Sequence, residues 1–240
     1  MQNELHDYFR RTLKKDLAIS FAEQELQDFE LSENERLKLL QMKHENRRSS
    51  WLRGRAALKQ VLKTNSKNHY AADLLSSICL LPASTLSKSG AEIFHPPMNQ
   101  IDTCMLSLPN KALSLSHNNQ LAVALLILER SWGAGIDLEA PRPVKEGATR
   151  FYLHPEEQQF LYGRNTEDAQ LELLRLWTVK EALFKSDLLN SEKTLLNYRL
   201  EDAAAHYGRA RSLSRPETFS YSSKFTGQYW LTLAIAEGGS

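Results

Sequence analysis

A short stretch of the sequence, residues 176–185, places charged side chains where a helix normally presents apolar ones. At about 100° per residue, Lys180 projects into the apolar stripe that contains Leu176, and Glu181 lies at the edge of that stripe. Burying an ammonium or a carboxylate without a partner is expensive. These groups therefore need partners elsewhere in the chain, unless Glu181 and Lys185 form an ordinary pair on a solvated helix surface.

Candidate partners lie upstream, where Gly135-Ile136-Asp137-Leu138-Glu139 follows the pattern of a strand that Pro141 and Pro143 terminate. Asp137 and Glu139 are two residues apart, so their side chains share one face of the strand. Two carboxylates about 4 Å apart repel by about 4 kcal/mol at an effective dielectric of about 20, and a third from Glu181 adds to this. A hard divalent cation such as Mg²⁺ removes the conflict, and it is commonly held by carboxylates together with substrate phosphates. The alternative is a pair of solvated surface carboxylates.

The preceding residues predict the strands that position this group. Leucines and serines alternate up to His117, residues 121–128 form a purely apolar run, and a third strand covers residues 134–139. Short turns between them favour a three-stranded antiparallel meander. Its first and third strands run in the same direction, so Ser116 and His117 are expected at the same end of the sheet as the two carboxylates.

The first half reads as a strand over residues 17–22 followed by helices. Ser32 and Glu35 have the spacing of a capping box that opens a helix to about Lys43. A second amphipathic helix follows, with one acid, Glu45, among seven basic residues: Lys43, Arg47, Arg48, Arg53, Arg55, Lys59 and Lys63. This run is either a solvated face or an anion site, in which arginine forks grip the oxygens of a phosphate-rich ligand.

Composition restricts the function classes. The 240 residues are 42% hydrophobic and 25% charged with a net charge of +1, so no global field favours nucleic acid or a membrane surface. Cys79 and Cys104 lack metal-ligand spacing and indicate reduced thiols. The apolar run over 121–128 is too short to span a bilayer as a helix, and the N-terminal residues lack the apolar core of a signal peptide. We expect a soluble, cytoplasmic protein that binds neither nucleic acid nor membranes.

The order and spacing of four motifs resemble the 4′-phosphopantetheinyl transferase superfamily. They are Ser116-His117, the Gly-x-Asp-x-Glu sequence at 135–139, Phe151 with His154-Pro155-Glu156-Glu157, and Trp-x-x-Lys-Glu-Ala-x-x-Lys at 177–185. The length and the Arg-rich segment over 47–62 resemble the larger, single-chain subfamily. This resemblance implies an α+β protein whose two similar halves, each a small antiparallel sheet with a packed long helix, form a pseudo-twofold dimer within one chain. The halves are expected over residues 1–110 and 111–240.

The resemblance also implies an activity, that of a holo-[acyl-carrier-protein] synthase acting as a monomer. Such an enzyme transfers the phosphopantetheine arm of coenzyme A to a serine of an apo acyl or peptidyl carrier protein and releases 3′,5′-ADP. The implied Mg²⁺ ligands are Asp137, Glu139 and Glu181, and the base is Glu181 or a metal-bound water. Lys185 would act on the leaving phosphate. The implied contacts to the phosphates of coenzyme A are Ser116, His117, Arg55 and Arg48.

Two readings from other classes remain alternatives. A protein that only binds coenzyme A or a carrier would need neither three convergent carboxylates nor Lys185. A carboxylate–metal phosphohydrolase would release phosphopantetheine into water and would need no carrier. For Lys180 we favour a structural role, as an ion-pair partner or with its stem along apolar surface.

The sequence departs from the subfamily at one turn. Members usually carry Gly-Lys-Pro before the first strand of the second half, where this chain has Gly90-Ala91-Glu92, with Lys88 as a possible substitute. A faint duplication is also present: a shift of 126 residues aligns Lys59 with Lys185 and sets Arg55 against Glu181.

Overall fold

A computed structural model describes residues 2–65, 80–82, 91–93, 113–127, 133–145, 147–187, 189–190 and 193–237. Gly90, Lys88 and both cysteines lie outside these residues. The helices are α1 Gln2–Leu13, α2 Glu33–Leu40, α3 Glu45–Asn65, α4 Pro155–Gln158 and α5 Thr166–Ser186. The strands are β1 Leu17–Ala22, β2 Leu80–Pro82, β3 Ala91–Ile93, β4 Leu113–His117, β5 Ala122–Ile127, β6 Ala134–Glu139, β7 Tyr198–Leu200, β8 Tyr207–Ser212, β9 Thr218–Phe225 and β10 Trp230–Glu237.

The architecture is α+β, as predicted, with two main antiparallel sheets. The first has the strand order β1-β5-β4 and the second has the order β6-β10-β9-β8-β7, while β2 and β3 form a separate pair within the described part of the chain. The strands of each main sheet and the helices between them occur in a similar order along the chain. A strand is followed by a short helix, a long helix and, later, two strands that pair with each other. The elements β1, α2, α3, β4 and β5 thus have counterparts in β6, α4, α5, β9 and β10.

The predicted three-stranded meander is wrong, because β6 pairs with β10 and not with β5. The β10 ladder matches β6 along its length, from Trp230 opposite Glu139 to Ile235 opposite Ala134. The other side of β6 lies beside β4, where serine hydroxyls replace a backbone ladder. Ser114 Oγ accepts the N–H of Ile136 and Ser116 Oγ accepts the N–H of Leu138, each at 3.1 Å. We call this junction between the two sheets the serine seam.

The core continues across both sheets because α1 packs on their shared face. Leu5, Phe9 and Leu13 of α1 are buried together with apolar residues of β1, β5, β6 and β10. The other faces are covered separately: α3 packs on the first sheet and α5 on the second. Among the described helices, none has the length and apolarity needed to cross a bilayer.

Each long helix buries a lysine against the glutamate of a capping box. Glu35 and Ser32 form the predicted capping box, although the helix that it opens, α2, ends at Leu40. The Oε2 atom of Glu35 lies 2.6 Å from the Nζ of Lys59, which is fully buried. In the second half, Glu157 accepts the N–H of His154 and pairs with the buried Lys180 at 2.8 Å. The structural role of Lys180 is therefore confirmed, and Lys59 has the same role in the basic segment.

The separation of these two pairs along the chain differs from the predicted duplication offset. Both long helices have 21 residues, and the separation between Lys59 and Lys180 equals that between their first residues, Glu45 and Thr166, at 121 positions. The shift of 126 matched Lys59 to Lys185 on residue type alone. It placed Arg55 opposite Glu181, a correspondence that the helices do not follow.

Candidate active site

Close packing of β6 against α5 brings the predicted site residues together. A Cβ built on Gly135 would lie 1.9 Å from the carbonyl oxygen of Ala182, and one on Gly133 would lie 2.0 Å from that of Ser186. Only a residue without a side chain fits at either position. The strand therefore runs directly along the last turns of the helix, next to Glu181 and Lys185.

Asp137 lies at the serine seam and is 5% exposed. Its Oδ1 accepts hydrogen bonds from Ser116 Oγ at 3.0 Å and from Lys185 Nζ at 2.8 Å. Lys185 Nζ also donates to the carbonyl of Ile136 at 3.1 Å. The other oxygen, Asp137 Oδ2, is buried and has no hydrogen-bond partner within the described residues. A buried carboxylate oxygen without a donor is a site that a cation would satisfy.

Glu139 pairs with an arginine that the sequence reasoning did not single out. Arg142 Nε lies 3.3 Å from Glu139 Oε2, and its Nη2 lies 3.2 Å from Glu139 Oε1. The hydrogen bond to Glu139 raises the pKa of Arg142, burial opposes this, and the charges of Glu139 and Asp137 raise it further. The signal in the sequence was a lone arginine between Pro141 and Pro143, directly after the acidic strand.

Electrostatics connect Glu181 to both carboxylates of β6. Burial raises the pKa of Glu181, Lys185 opposes the rise, and the negative charges of Asp137 and Glu139 raise it again. The charges of Asp137 and Glu139 thus act on Glu181. No set of three His, Cys, Asp or Glu side chains in the described part of the chain is arranged to hold a metal ion, and ion pairs engage Asp137 and Glu139. Their chemistry and the open Asp137 Oδ2 nevertheless fit a hard divalent cation.

His117 ends β4 beside a group of cations. Gly54 lets α3 approach this strand, because a Cβ there would lie 3.0 Å from the side chain of Leu115 and 3.7 Å from that of His117. Although part of the ring reaches solvent, burial of the rest lowers the pKa of His117, and the charges of Lys185, Arg53 and Arg55 lower it further. The site is therefore electropositive on this side and suits an anion.

The predicted arginines differ in their surroundings. Arg55 is 5% exposed, and its Cζ lies 4.9 Å from the ring centroid of Trp51. Arg48 is exposed, two helical turns earlier on α3. Arg53, which the sequence marked only as one of the basic run, donates to the carbonyl of Asn119 at 2.7 Å next to the β4–β5 turn.

Other members of the four motifs serve the fold. Trp177 packs edge-on against Tyr152 with ring centroids 5.2 Å apart, as expected for an anchor of the helix. Ser116 is 7% exposed and its hydroxyl already bonds Asp137 and the N–H of Leu138. Its predicted contact with a phosphate stays a prediction.

Comparison with known families agrees with this geometry. Residues 133–234, a little under half of the chain, match the family model described as the 4′-phosphopantetheinyl transferase superfamily. The matched segment contains the three carboxylates and Lys185, whereas Ser116, His117 and the arginines of α3 precede it. No curated protein matches the sequence significantly.

Proposed function

Because the chain carries, over residues 133–234, a domain of the 4′-phosphopantetheinyl transferase superfamily, we propose that it transfers the 4′-phosphopantetheine arm of coenzyme A. The acceptor is a serine hydroxyl of an apo acyl or peptidyl carrier protein, and the other product is 3′,5′-ADP. The observation that carries the proposal is the buried carboxylate of Asp137, which pairs with Lys185 through Oδ1 and leaves Oδ2 without a partner among the described residues, close to the charges of Glu139 and Glu181. A protein that only bound coenzyme A would gain nothing from such an arrangement.

The chemistry is a phosphoryl transfer. The serine oxygen forms a bond to the phosphorus that carries pantetheine, and the bond from this phosphorus to the bridging oxygen of the pyrophosphate breaks. Glu181 accepts the serine proton, and Lys185 stabilises the negative charge on the departing phosphate. Asp137, Glu139 and Glu181 would hold Mg²⁺, which when bound neutralises charge on the pyrophosphate oxygens.

The anion side of the site is assigned to α3 and the end of β4. Arg55 and His117 contact the phosphates of coenzyme A, with Ser116 and Arg48 as further candidates. The lowered pKa of His117 supports this assignment, because a ring crowded by cations gains most from an incoming negative charge. The ring then binds a proton more readily once a phosphate is present.

We further propose that the two sheets are the halves of a pseudo-twofold dimer. The matching order of elements and of strands in the sheets supports this, as do the equivalent pairs of Lys59 with Glu35 and Lys180 with Glu157. Since β5 pairs with β1 and β4 pairs with β5, we set the boundary between the halves after β5 instead of at residue 110. We propose that the enzyme acts in the cytoplasm as a monomer.

The test is incubation of the protein with coenzyme A, Mg²⁺ and a panel of apo carrier proteins, read by intact mass. One carrier should gain the mass of a single phosphopantetheine group. The nearly isosteric Glu181→Gln should lower the rate at least about a hundredfold, since it removes the base and one ligand together. Binding without transfer to any carrier would point to the non-catalytic alternative, and free phosphopantetheine without a carrier would point to a hydrolase.

A further inference from the structure

The backbone of Arg142 is held at the edge of the site. It lies between Pro141 and Pro143, whose rings fix their own backbone φ and restrict the residue before each of them. The N–H of Val144 donates to Gln170 Oε1 at 2.7 Å, which ties the loop to α5. The backbone of Arg142 is therefore held next to β6, while the guanidinium is placed by its ion pair with Glu139.

The pair of Arg142 with Glu139 differs in burial from the pair of Lys185 with Asp137. The side chains of Arg142 and Glu139 are 53% and 25% exposed, whereas those of Lys185 and Asp137 are 16% and 7% exposed. Exposed ion pairs contribute little to stability, while buried ones are expensive to break. Of the two cations that neutralise the carboxylates of β6, Arg142 is thus the one that can be exchanged.

Arg142 also occupies both oxygens of Glu139, one through Nε and one through Nη2. A divalent cation that takes Glu139 as a ligand needs at least one of those oxygens, so the two cations compete for the same atoms. Asp137 Oδ2, in contrast, is open. Glu139 is therefore the ligand whose release controls completion of the site.

We propose that Arg142 is an exchangeable counter-ion of Glu139. In the cation-free protein it neutralises this carboxylate, and it releases the carboxylate when a divalent cation binds to Asp137, Glu139 and Glu181. The inference rests on the proposed function, because it takes those three residues as the ligands. It assigns Arg142 a positioning role, in which it sets the affinity for the cation and touches neither of the reacting groups.

The test measures cation binding directly, without turnover. Mn²⁺, a paramagnetic probe with similar oxygen ligands, is titrated into the full chain, and free Mn²⁺ is followed by electron paramagnetic resonance. Arg142→Ala should lower the Kd for Mn²⁺ roughly two- to fivefold, because a competing pair of this exposure is removed. Arg142→Lys, which keeps the charge but not the fork, should fall between Arg142→Ala and wild type.

Arg150→Ala is the matched control. Arg150 is an exposed arginine near the same loop whose Cζ lies 4.7 Å from the ring centroid of Phe151, and its removal changes the net charge equally. This variant should leave the Kd unchanged. An equal fall in Kd for Arg150→Ala would overturn the exchange and leave only a net-charge effect.

Two further results separate this inference from the proposed function. If wild type binds Mn²⁺ and Arg142→Ala binds it equally or more weakly, the counter-ion role is wrong and the metal site stands. If wild type binds no Mn²⁺, the metal site and the inference both fail. The side-chain ¹⁵N signal of Arg142 Nε gives a structural readout, and its loss in Arg142→Lys assigns it. This signal should shift when Mg²⁺ is added, whereas the Nε signal of Arg150 should not.

Discussion

The two oxygens of the Asp137 carboxylate have different environments. Oδ1 is fixed by Ser116 and Lys185, and Oδ2 is buried without a partner among the described residues. One oxygen thus orients the side chain and the other remains open to a ligand. This division explains how one short residue can belong both to the seam of the fold and to the candidate metal site.

Glu181 gives a prediction at the residue scale, because its pKa is raised by burial and by the charges of Asp137 and Glu139, against the opposing effect of Lys185. A folded-state pKa above the unfolded value means that the folded chain binds this proton more tightly. The ionised group therefore lowers the free energy of unfolding at pH values above the folded pKa, and this penalty disappears as the pH falls through it. In the presence of a chelator, Glu181→Gln should melt higher than wild type at pH 8, and the difference should shrink towards pH 5.

Comparing wild type with Glu181→Gln at each pH cancels the titration of the other groups. Glu172 is one of them: burial alone would raise its pKa, but His206 and Arg175 hold it at about 2. Thermal melts in matched buffers provide the measurement. A variant that melts lower than wild type at pH 8 would show that ionised Glu181 stabilises the fold, contrary to the repulsion described here.

Ser114 and Ser116 allow the seam and the site to be tested separately. Each accepts a backbone N–H of β6, so each change to alanine leaves a buried donor unpaired and should destabilise by about 1–3 kcal/mol. Only Ser116→Ala also removes a hydrogen bond to Asp137. We therefore expect both variants to melt lower, but only Ser116→Ala to lose part of the rise in melting temperature that Mg²⁺ produces.

An equal response of the two serine variants to Mg²⁺ would show that Ser116 does not position Asp137. If Ser116→Ala instead raised the KM for coenzyme A and kept the full response to Mg²⁺, the hydroxyl would be a ligand contact. That outcome would restore the role that the family resemblance implies. Melting curves and steady-state kinetics on the same preparations distinguish the two results.

At the scale of elements, the contact of β6 with α5 predicts a severe effect of one methyl group. In Gly135→Ala the new Cβ would lie 1.9 Å from a helix carbonyl, so strand and helix must separate. The expected destabilisation is about 3 kcal/mol or more, at the upper end for overpacking, together with loss of transfer activity. Gly147→Ala is the control. Its φ of 72° is strained for alanine, but no atom of the described residues lies within 4 Å of the added Cβ, so the change should cost only about 1–2 kcal/mol. Chemical denaturation measures both, and similar values would contradict the close approach.

The sequence was informative about elements and less so about their partners. Alternation predicted β4 and β6, and the capping box predicted α2, because those signals are local. The sheet to which β6 belongs depends on β10, which lies far along the chain, and no local pattern encodes that pairing. The polar residues in the apolar stripe of α5 correctly indicated a buried charge at Lys180. Its partner proved to be Glu157 and not a carboxylate of β6.

The residues of the candidate site were also predictable where local sequence patterns mark them, and not where they depend on tertiary packing. Motif spacing identified the three carboxylates and Lys185 as candidates, and these residues lie on β6 and α5, which pack directly against each other. Arg142 was missed because a lone arginine between prolines resembles an ordinary loop. Arg53 could not be distinguished from the other basic residues of α3 by sequence. These residues differ in burial, and their burial depends on how α3 packs against β4.

For the whole molecule, α1 packs against both sheets, and we expect them to unfold as one cooperative unit. Phe9 is fully buried in the core cluster that contains residues of β1, β5, β6 and β10. Phe9→Ala should cost about 3–5 kcal/mol, which in a chain of this length lowers the melting temperature by about 10 °C or more. Because both sheets lose packing, fluorescence of the tryptophans and far-UV circular dichroism should report the same lowered transition. Two separated transitions in the wild-type protein would show that the sheets unfold independently.

The position of α1 also has a consequence for synthesis on the ribosome. Tyr8 donates to the carbonyl of Ser223 at 3.0 Å, and Thr12 Oγ1 donates to Ser222 Oγ at 2.8 Å. The helix α1 therefore completes its contacts only when strand residues more than 200 positions later in the chain have been translated. Until β9 and β10 emerge, Phe9 and its neighbours can cover only β1, β5 and β6. A nascent chain stalled before β9 would therefore display the apolar face of α1 and part of a core, which are the features that chaperones and quality-control proteases recognise.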